Sequence, residues 1–91
     1  MPDDTTRVWL VERTYSDDEQ NLVVLTYATP DGERSLRKER PLTSFGDVRD
    51  THAGLDVSAD DLAPVRDDET RALYARAASD TAADHDASDV I

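Results

Sequence analysis

The segment Thr29-Pro30-Asp31-Gly32-Glu33 constrains the fold most, because it specifies a tight reversal between two strand-like segments. Pro30 fixes φ near the value that a type I turn requires, and Asp31 tolerates the bridge conformation. Gly32 supplies the left-handed residue that closes a three-residue hairpin loop. Residues 22–28 are rich in β-branched and aromatic side chains, and residues 34–40 alternate loosely in polarity. The pattern predicts a β-hairpin.

A third strand is predicted before this hairpin, over about residues 7–15, with a polar loop between. Residues 22–28 are apolar on both alternating faces, which is typical of a central strand covered on both sides. Pro41 suits the end of an edge strand, since it cannot donate a ladder hydrogen bond. Residues 6–42 therefore predict a three-stranded antiparallel β-meander. Residues 43–57 show no periodicity and are predicted to form a loop.

Helical signals begin at Ser58, which forms a capping-box variant with Asp61. A second helix is predicted from Asp67, with acidic residues in its first turn. The prediction is an α+β fold, a three-stranded meander covered by a C-terminal α-helix. The single domain spans residues 6–81, with 58–81 helical, between a disordered N-terminus (1–5) and a disordered acidic tail (82–91). The predicted sheet-facing stripe of the helix is Thr70, Leu73, Tyr74, Ala77, Ala78 and Thr81.

Both faces of the first two strands carry apolar residues, yet one helix covers only one face. Strand alternation places one apolar set on one face of the sheet: Val8, Leu10, Leu22 and Val24. The other apolar set lies on the opposite face, which we predict to be an interaction surface: Trp9, Val11, Val23, Leu25 and Tyr27. A second copy of the chain would cover it, giving a homodimer, because small isolated sheets need extra burial. The alternative cover is residues 43–62 of the same chain.

The composition is strongly acidic, with 21 acidic residues against 10 basic ones and a net charge of −11. All the bases except Lys38 are arginines. This composition resembles that of proteins from extreme halophiles of the haloarchaeal type, which keep molar salt inside the cell. The resemblance implies a surface that stays hydrated in concentrated salt and repels itself in dilute buffer. The alternative interpretation is an acidic mimic of nucleic acid that binds a basic partner. It is less favoured because the acidic residues are spread over every loop and do not form one face.

Four bases in the third predicted strand run against this acidic background: Arg34, Arg37, Lys38 and Arg40. They are candidate contacts for an anion or a nucleic acid. The competing interpretation is protection of an edge strand from edge-to-edge pairing. Molar salt weakens phosphate contacts severely, so a nucleic-acid partner is the less favoured alternative.

The sequence offers no other strong site. It contains no cysteine, and His52 and His85 lie near aspartates without the spacing of a metal site. We therefore predict no catalytic residues, no metal and no cofactor. The acidic N-terminus and the short apolar runs predict a cytoplasmic protein without membrane contact. The predicted function is a small non-enzymatic interaction or structural protein adapted to high salt and homodimeric. The alternative is a nucleic-acid-associated regulatory protein that uses the basic third strand.

Overall fold

The computed structural model of the protein describes residues 5–16, 22–41 and 51–91. These residues contain one five-stranded antiparallel sheet, in the order β4-β1-β2-β3-β5. A C-terminal helix packs on the sheet. The strands are β1 (Thr5–Ser16), β2 (Leu22–Ala28), β3 (Arg34–Pro41), β4 (Gly54–Ser58) and β5 (Ala63–Pro64); a 3₁₀ turn covers Ala59–Asp61 and helix α1 covers Asp68–Asp84.

The predicted α+β class, with an antiparallel sheet and one C-terminal helix, is confirmed, but the sheet has five strands and not three. Of the two additional strands, β4 comes mainly from residues predicted to form a loop, and β5 lies within the segment 58–81 that was predicted to be helical. In β4, Leu55 and Val57 lie opposite Val8 and Thr6 of β1. Their alternation with Asp56 and Ser58 is a strand pattern, but a strand of five residues that begins with a glycine is too short for the pattern to be recognised in the sequence.

The β2–β3 hairpin has the turn that its sequence predicts. Gly32 has a φ of 73°, in the left-handed region. The Asp31 carboxylate accepts hydrogen bonds from the Thr29 hydroxyl, at 2.5 Å, and from the Glu33 amide, at 3.0 Å. These two bonds stabilise the ionised carboxylate and lower the pKa of Asp31, the Thr29 bond having the larger effect.

The apolar core lies on the sheet face opposite the helix. Leu25 and Tyr27 of β2 have no solvent exposure, and the Tyr27 hydroxyl donates to the His52 carbonyl at 3.0 Å. Leu62 and Ile91, from outside the strands, pack against this face. The core side chains are Val8, Leu10, Val23, Leu25 and Tyr27, with Leu36, Leu55 and Val57 at the margin.

Helix α1 begins where the sequence predicts, because the Asp67 carboxylate accepts a hydrogen bond from the Thr70 amide at 2.9 Å. It ends at Asp84, three residues beyond the predicted end. The segment after it was predicted to be a disordered tail, but backbone hydrogen bonds hold it against residues 51–54. These bonds join the Gly54 amide to Ala87 at 3.0 Å, the Ala53 amide to Asp89 at 2.8 Å and the Ile91 amide to Thr51 at 2.8 Å.

Parts of three predictions fall on residues outside the described ranges: the N-terminus up to residue 4, the loop after β1, and residues 43–50 of the predicted loop. Thr5, predicted to belong to the disordered N-terminus, begins β1. No helix among the described residues has the length and apolarity needed to cross a membrane.

Candidate functional site

A β-bulge in β1 builds one wall of the candidate site. The ladder with β2 pairs Leu10 with Tyr27 and then Glu12 with Thr26, so Val11 is an extra residue on β1. A bulge of this kind places two residues of one strand opposite one residue of its partner. Val11 and Glu12 consequently both face the helix side of the sheet, where they line the same cavity.

The bulge is fixed from both sides by hydrogen bonds to the backbone of Leu10. The Leu10 carbonyl accepts a 2.8 Å hydrogen bond from the hydroxyl of Thr81 in α1. The Leu10 amide donates to the Ala53 carbonyl, also at 2.8 Å. The irregular backbone is thus paired with groups outside the β1–β2 ladder, and the helix is held at a defined height over β1.

Helix α1 is held in place at its N-terminal end by Arg71. The guanidinium donates to the Val65 carbonyl at 2.7 Å and pairs with Asp68. The same turn of helix lies over Gly32 of the hairpin: a Cβ at Gly32 would stand 2.7 Å from the Ala75 amide nitrogen and 3.0 Å from the Arg71 carbonyl carbon. Separations this short exclude a side chain, so the helix approaches the hairpin only because residue 32 is glycine.

The orientation of α1 differs from the predicted stripe. Ala78 is buried and Tyr74 half-buried, as predicted, but Leu73 is 63% exposed. Arg71 and Ala75, which were not in the predicted stripe, face the hairpin. The contact face is therefore turned about the helix axis, away from Leu73. The alanine-rich pattern gave no strong apolar direction, and the close contact with Gly32 decided the rotation.

Between α1 and β1 lies a cavity of about 410 Å³, which we call the helix-side groove; it is lined by Val11, Glu12, Thr70, Leu73, Tyr74 and Ala77. Its walls are mainly apolar, and Leu73 stands at its rim. A second cavity of about 300 Å³ shares Glu12 and Tyr74 with it and continues over the sheet; its other lining residues are Thr14, Val24, Thr26, Ser35 and Arg37. The apolar groove thus opens onto a polar shelf, an arrangement suited to an apolar side chain with a polar flank.

Charges near the groove are paired or exposed. Arg37 on the polar shelf forms a 3.1 Å ion pair with Glu39, and both side chains are at least half exposed. At the start of α1, hydrogen bonds from the hydroxyl and amide of Thr70 lower the pKa of Asp67, the hydroxyl having the larger effect. The groove therefore lies beside a helix N-terminus whose cap carboxylate stays ionised.

The structure divides the predicted interaction face between the two sides of the sheet. The β1–β2 register sets Trp9 opposite Ala28 and Leu10 opposite Tyr27, so Trp9 and Tyr27 point to opposite faces. Val23, Leu25 and Tyr27 are at most 8% exposed within the single chain. The alternation predicted for β2 is present, but the bulge at Val11 shifts the alternation of β1 beyond it. The phase between the two strands depends in addition on a loop that the sequence left open. Of the predicted set, only Val11 lines the groove.

The basic residues of β3 are likewise split. Arg37 faces the helix side, whereas Lys38 pairs across from Leu25 on the core side, with Arg13 of β1 flanking Leu25 on its other side. Arg34 and Lys38 are exposed, and Arg40 lies opposite Val23 in the ladder. The register thus places Arg13 of β1 near the basic residues of β3, although these residues are far apart in the sequence.

The two histidines lie on neighbouring segments, His52 within residues 51–54 and His85 at the end of α1. His52 Nδ1 lies 3.1 Å from the Ser88 carbonyl, and His85 Nδ1 lies 3.8 Å from the Asp89 carboxylate. Among the described residues, no three histidine, aspartate or glutamate side chains are grouped to hold a metal ion.

A third cavity, of about 320 Å³, lies between His52, Ser88 and an ion pair of Arg7 with Asp56. The Arg7 hydrogen bond lowers the pKa of Asp56 and raises that of Arg7. The Arg7 guanidinium also lies 5.8 Å from the centre of the Trp9 ring, within the range of a cation–π contact. These charges are already paired with each other, so the cavity offers little to a ligand.

Comparison with known proteins identifies the family. A model of a family of unknown function, DUF7967, matches residues 2–91, and the chain belongs to this family. No curated protein and no solved structure matches the chain. The α+β fold and the groove beside α1 are therefore the starting point for a functional proposal.

Proposed function

We propose that the protein is a small, non-enzymatic interaction protein of a high-salt cytoplasm that binds a protein segment in the helix-side groove. One observation carries the proposal: Leu73 is 63% exposed and borders a mainly apolar groove that Val11 and Tyr74 also line. An isolated exposed leucine is ordinary on a protein surface. An exposed leucine that borders a mainly apolar groove extends the apolar surface of that groove, and such a continuous apolar surface is typical of an interaction site.

The core face is the weaker candidate for this role. Leu25 and Tyr27 have no exposure within the single chain, so a partner could reach them only after the core opened. The groove needs no such opening, since its lining residues already stand apart. The proposal therefore moves the predicted interaction surface from the core face to the helix side, and retains Val11.

The charge balance supports apolar recognition. With a net charge of −11, the chain repels other acidic proteins in dilute buffer. At molar salt the Debye length falls to about 3 Å, so this repulsion is largely screened. Salts that strengthen apolar burial also favour such an interface. An apolar groove on an acidic surface is thus suited to binding in concentrated salt.

A photo-crosslinking experiment tests the proposal. A photoreactive residue at Ala72, beside Leu73, would be irradiated in molar potassium chloride in extract of the source organism. We expect discrete crosslinked products that disappear with Leu73→Asp, because a charge at the rim disfavours an apolar ligand. The same probe at Ala82, which is exposed and lies on the opposite side of α1 from Leu73, is the matched control. Equal products from both positions would overturn the groove assignment.

A second candidate is binding of nucleic acid by the core-side bases. The register places exposed Arg13 and Lys38 on either side of Leu25, and Tyr15 of the same strand is 64% exposed. Bases interleaved with an aromatic ring are typical of single-strand binding. Fluorescence anisotropy with labelled single-stranded DNA and RNA would test it. Affinity that falls steeply with salt and is lost with Lys38→Glu would support this role.

A further inference from the structure

The helix-side groove and the polar shelf meet at two side chains. Glu12 and Tyr74 line both cavities, the mainly apolar one of about 410 Å³ and the polar one of about 300 Å³. The exposed Glu12 carboxylate forms no hydrogen bond or ion pair with another residue in the described part of the chain. A segment that passes from the groove onto the shelf therefore meets an uncompensated negative charge beside an aromatic ring.

The positive charge on the shelf, by contrast, is already paired. The register sets Glu12, Thr26 and Arg37 in one row across β1, β2 and β3. Arg37 forms its 3.1 Å ion pair with Glu39, so the free charge of this row is that of Glu12. An acidic group of a ligand would have to compete with Glu39 for Arg37, whereas a basic group finds Glu12 unoccupied.

The start of α1 adds negative charge beside the groove. The Thr70 hydroxyl, which lines the groove, donates to the Asp67 carboxylate at 2.8 Å. Glu69, four residues before Leu73, is exposed and has no ion pair within residues 5–16, 22–41 and 51–91. These two carboxylates outweigh the partial positive charge of about half a unit at a helix N-terminus. A cation is therefore the charge that the surroundings of the groove attract.

The shelf favours an extended segment over a helical one. The hydroxyls of Thr14, Thr26 and Ser35 line it, and none of them is hydrogen-bonded to another described residue. They can pair with the free amides and carbonyls of an extended backbone, whereas the backbone groups of a helix are bonded to each other. Every second side chain of an extended segment lies on the same side, roughly 7 Å apart. Since the groove and the shelf adjoin, the side chain in the groove and the one at Glu12 are then two residues apart.

We propose that the helix-side groove binds an extended protein segment that carries an apolar residue and, two positions away, an arginine. The apolar side chain packs against Val11 and Leu73. The guanidinium donates to the Glu12 carboxylate and contacts the Tyr74 ring. This inference rests on the proposed function, since it names the chemistry of the segment that the groove binds.

Arginine fits this position better than lysine. Its planar guanidinium donates two parallel hydrogen bonds to a carboxylate and stacks on an aromatic ring, and lysine does neither as well. A contact ion pair also spans no more than about 3 Å, the Debye length at molar salt, so salt weakens it less than it weakens attraction over longer distances. The contact can therefore select a partner in concentrated salt, while apolar burial in the groove supplies most of the affinity.

Selection from a phage-displayed library of random heptapeptides, on the immobilised chain in molar potassium chloride, tests the preference. Each round is counter-selected on Leu73→Asp, whose charge disfavours an apolar ligand. We expect enrichment of an apolar residue with arginine two positions away. Glu12→Arg should change that arginine to an acidic residue. Asp61→Arg makes the same change of charge beside Leu62, on the core side of the sheet, and should leave arginine enriched.

Fluorescence anisotropy with the most enriched peptide measures the contact itself. Glu12→Gln, or glutamine in place of the arginine of the peptide, should each raise the dissociation constant about three- to fivefold. The two changes together should raise it no further than either alone, because they remove the same contact. Glu12→Arg should bind the peptide with glutamate in place of arginine more tightly than wild type does. This reversal is a result that a folding defect cannot produce.

The outcomes separate this inference from the proposed function. Peptides that depend on Leu73 but show no preference for arginine, or that prefer an acidic residue, would overturn the arginine contact and leave the binding role of the groove intact. Additive losses from the two glutamine changes would do the same. A selection that enriches nothing over the Leu73→Asp background would remove both. Self-association of the purified chain that Leu73→Asp abolishes, measured by sedimentation equilibrium, would assign the groove to a second copy and overturn the peptide ligand.

Discussion

The backbone of Gly32, in the β2–β3 hairpin, lies directly against the backbone of Arg71, in the first turns of α1. The glycine that the turn requires for its positive φ is also the residue that admits the helix. One position therefore serves a local and a tertiary role, and substitution there should affect both the hairpin and the seating of α1.

Two substitutions at Gly32 separate these roles. Gly32→Val should lower the free energy of unfolding by about 1–3 kcal/mol from backbone strain alone, because a β-branched residue resists a positive φ. Gly32→Asn tolerates the left-handed conformation but still carries a Cβ that meets Arg71 and Ala75. Chemical denaturation in molar salt would measure both. An Asn variant as stable as wild type would show that the helix contact contributes nothing.

Truncation to alanine should lower the free energy of unfolding much more at Leu25 than at Leu73. Leu25→Ala removes a side chain that has no exposure in the single chain, and should cost about 2–5 kcal/mol of unfolding free energy. Leu73→Ala removes one that is 63% exposed, and at protein concentrations where the chain is monomeric it should cost well under about 1 kcal/mol. Thermal or chemical denaturation checks the pair. A small loss at Leu25 would mean that the core face is not closed within one chain.

Thr81→Val tests the hydrogen bond that fixes the bulge. Valine has nearly the same shape but leaves the Leu10 carbonyl without the 2.8 Å bond from α1. The expected loss is about 1–3 kcal/mol, the cost of an unsatisfied, partly buried acceptor. Thr81→Ser keeps the hydroxyl and is the matched control. If valine and serine variants unfold at the same denaturant concentration, the bond does not hold the bulge.

Acid should destabilise the fold through Asp31 and Asp67. Both carboxyls have pKa values in the folded chain below the unfolded value of about 3.9. Their contribution to the free energy of unfolding is present above that value and is lost as the pH falls through the folded pKa values, so stability should decline below about pH 5. Melting temperatures measured at constant salt over a series of pH values would show this decline.

Variants of the same two residues supply the control for acid sensitivity. Asp31→Asn with Asp67→Asn keeps hydrogen-bond acceptors that do not titrate, and should make the decline shallower. Asp80→Asn removes one exposed negative charge from α1, and its carboxylate has no hydrogen bond to another residue in the described part of the chain. A double variant with the wild-type pH profile would show that other carboxyls govern the acid response.

Local chemistry allowed the sequence to predict the hairpin and the start of α1. Gly32 and Asp67 each act through neighbours within three residues, and each takes the predicted conformation. The phase between β1 and β2 could not be predicted, because it depends on the intervening loop and on an extra residue at Val11. The groove depends on that bulge and on the rotation of α1, and both arise from contacts between distant segments. Val11 was therefore the only groove residue predicted to belong to an interaction surface, whereas Thr70, Leu73, Tyr74 and Ala77 were predicted only to face the sheet.

The strand order has a consequence for synthesis of the chain. β1, β2 and β3 are complete by residue 41, but the strands that flank them, β4 and β5, are made only after residue 53. Until then, a nascent meander presents the unpaired backbone of β1 and β3 on its two outer sides, the kind of template on which growing chains associate. We expect Arg37 and Lys38 on one of these strands, and Arg7 and Arg13 on the other, to supply charge that discourages such association. The bases that stand out against an acidic chain would then protect it during the interval before residues 54–91 emerge.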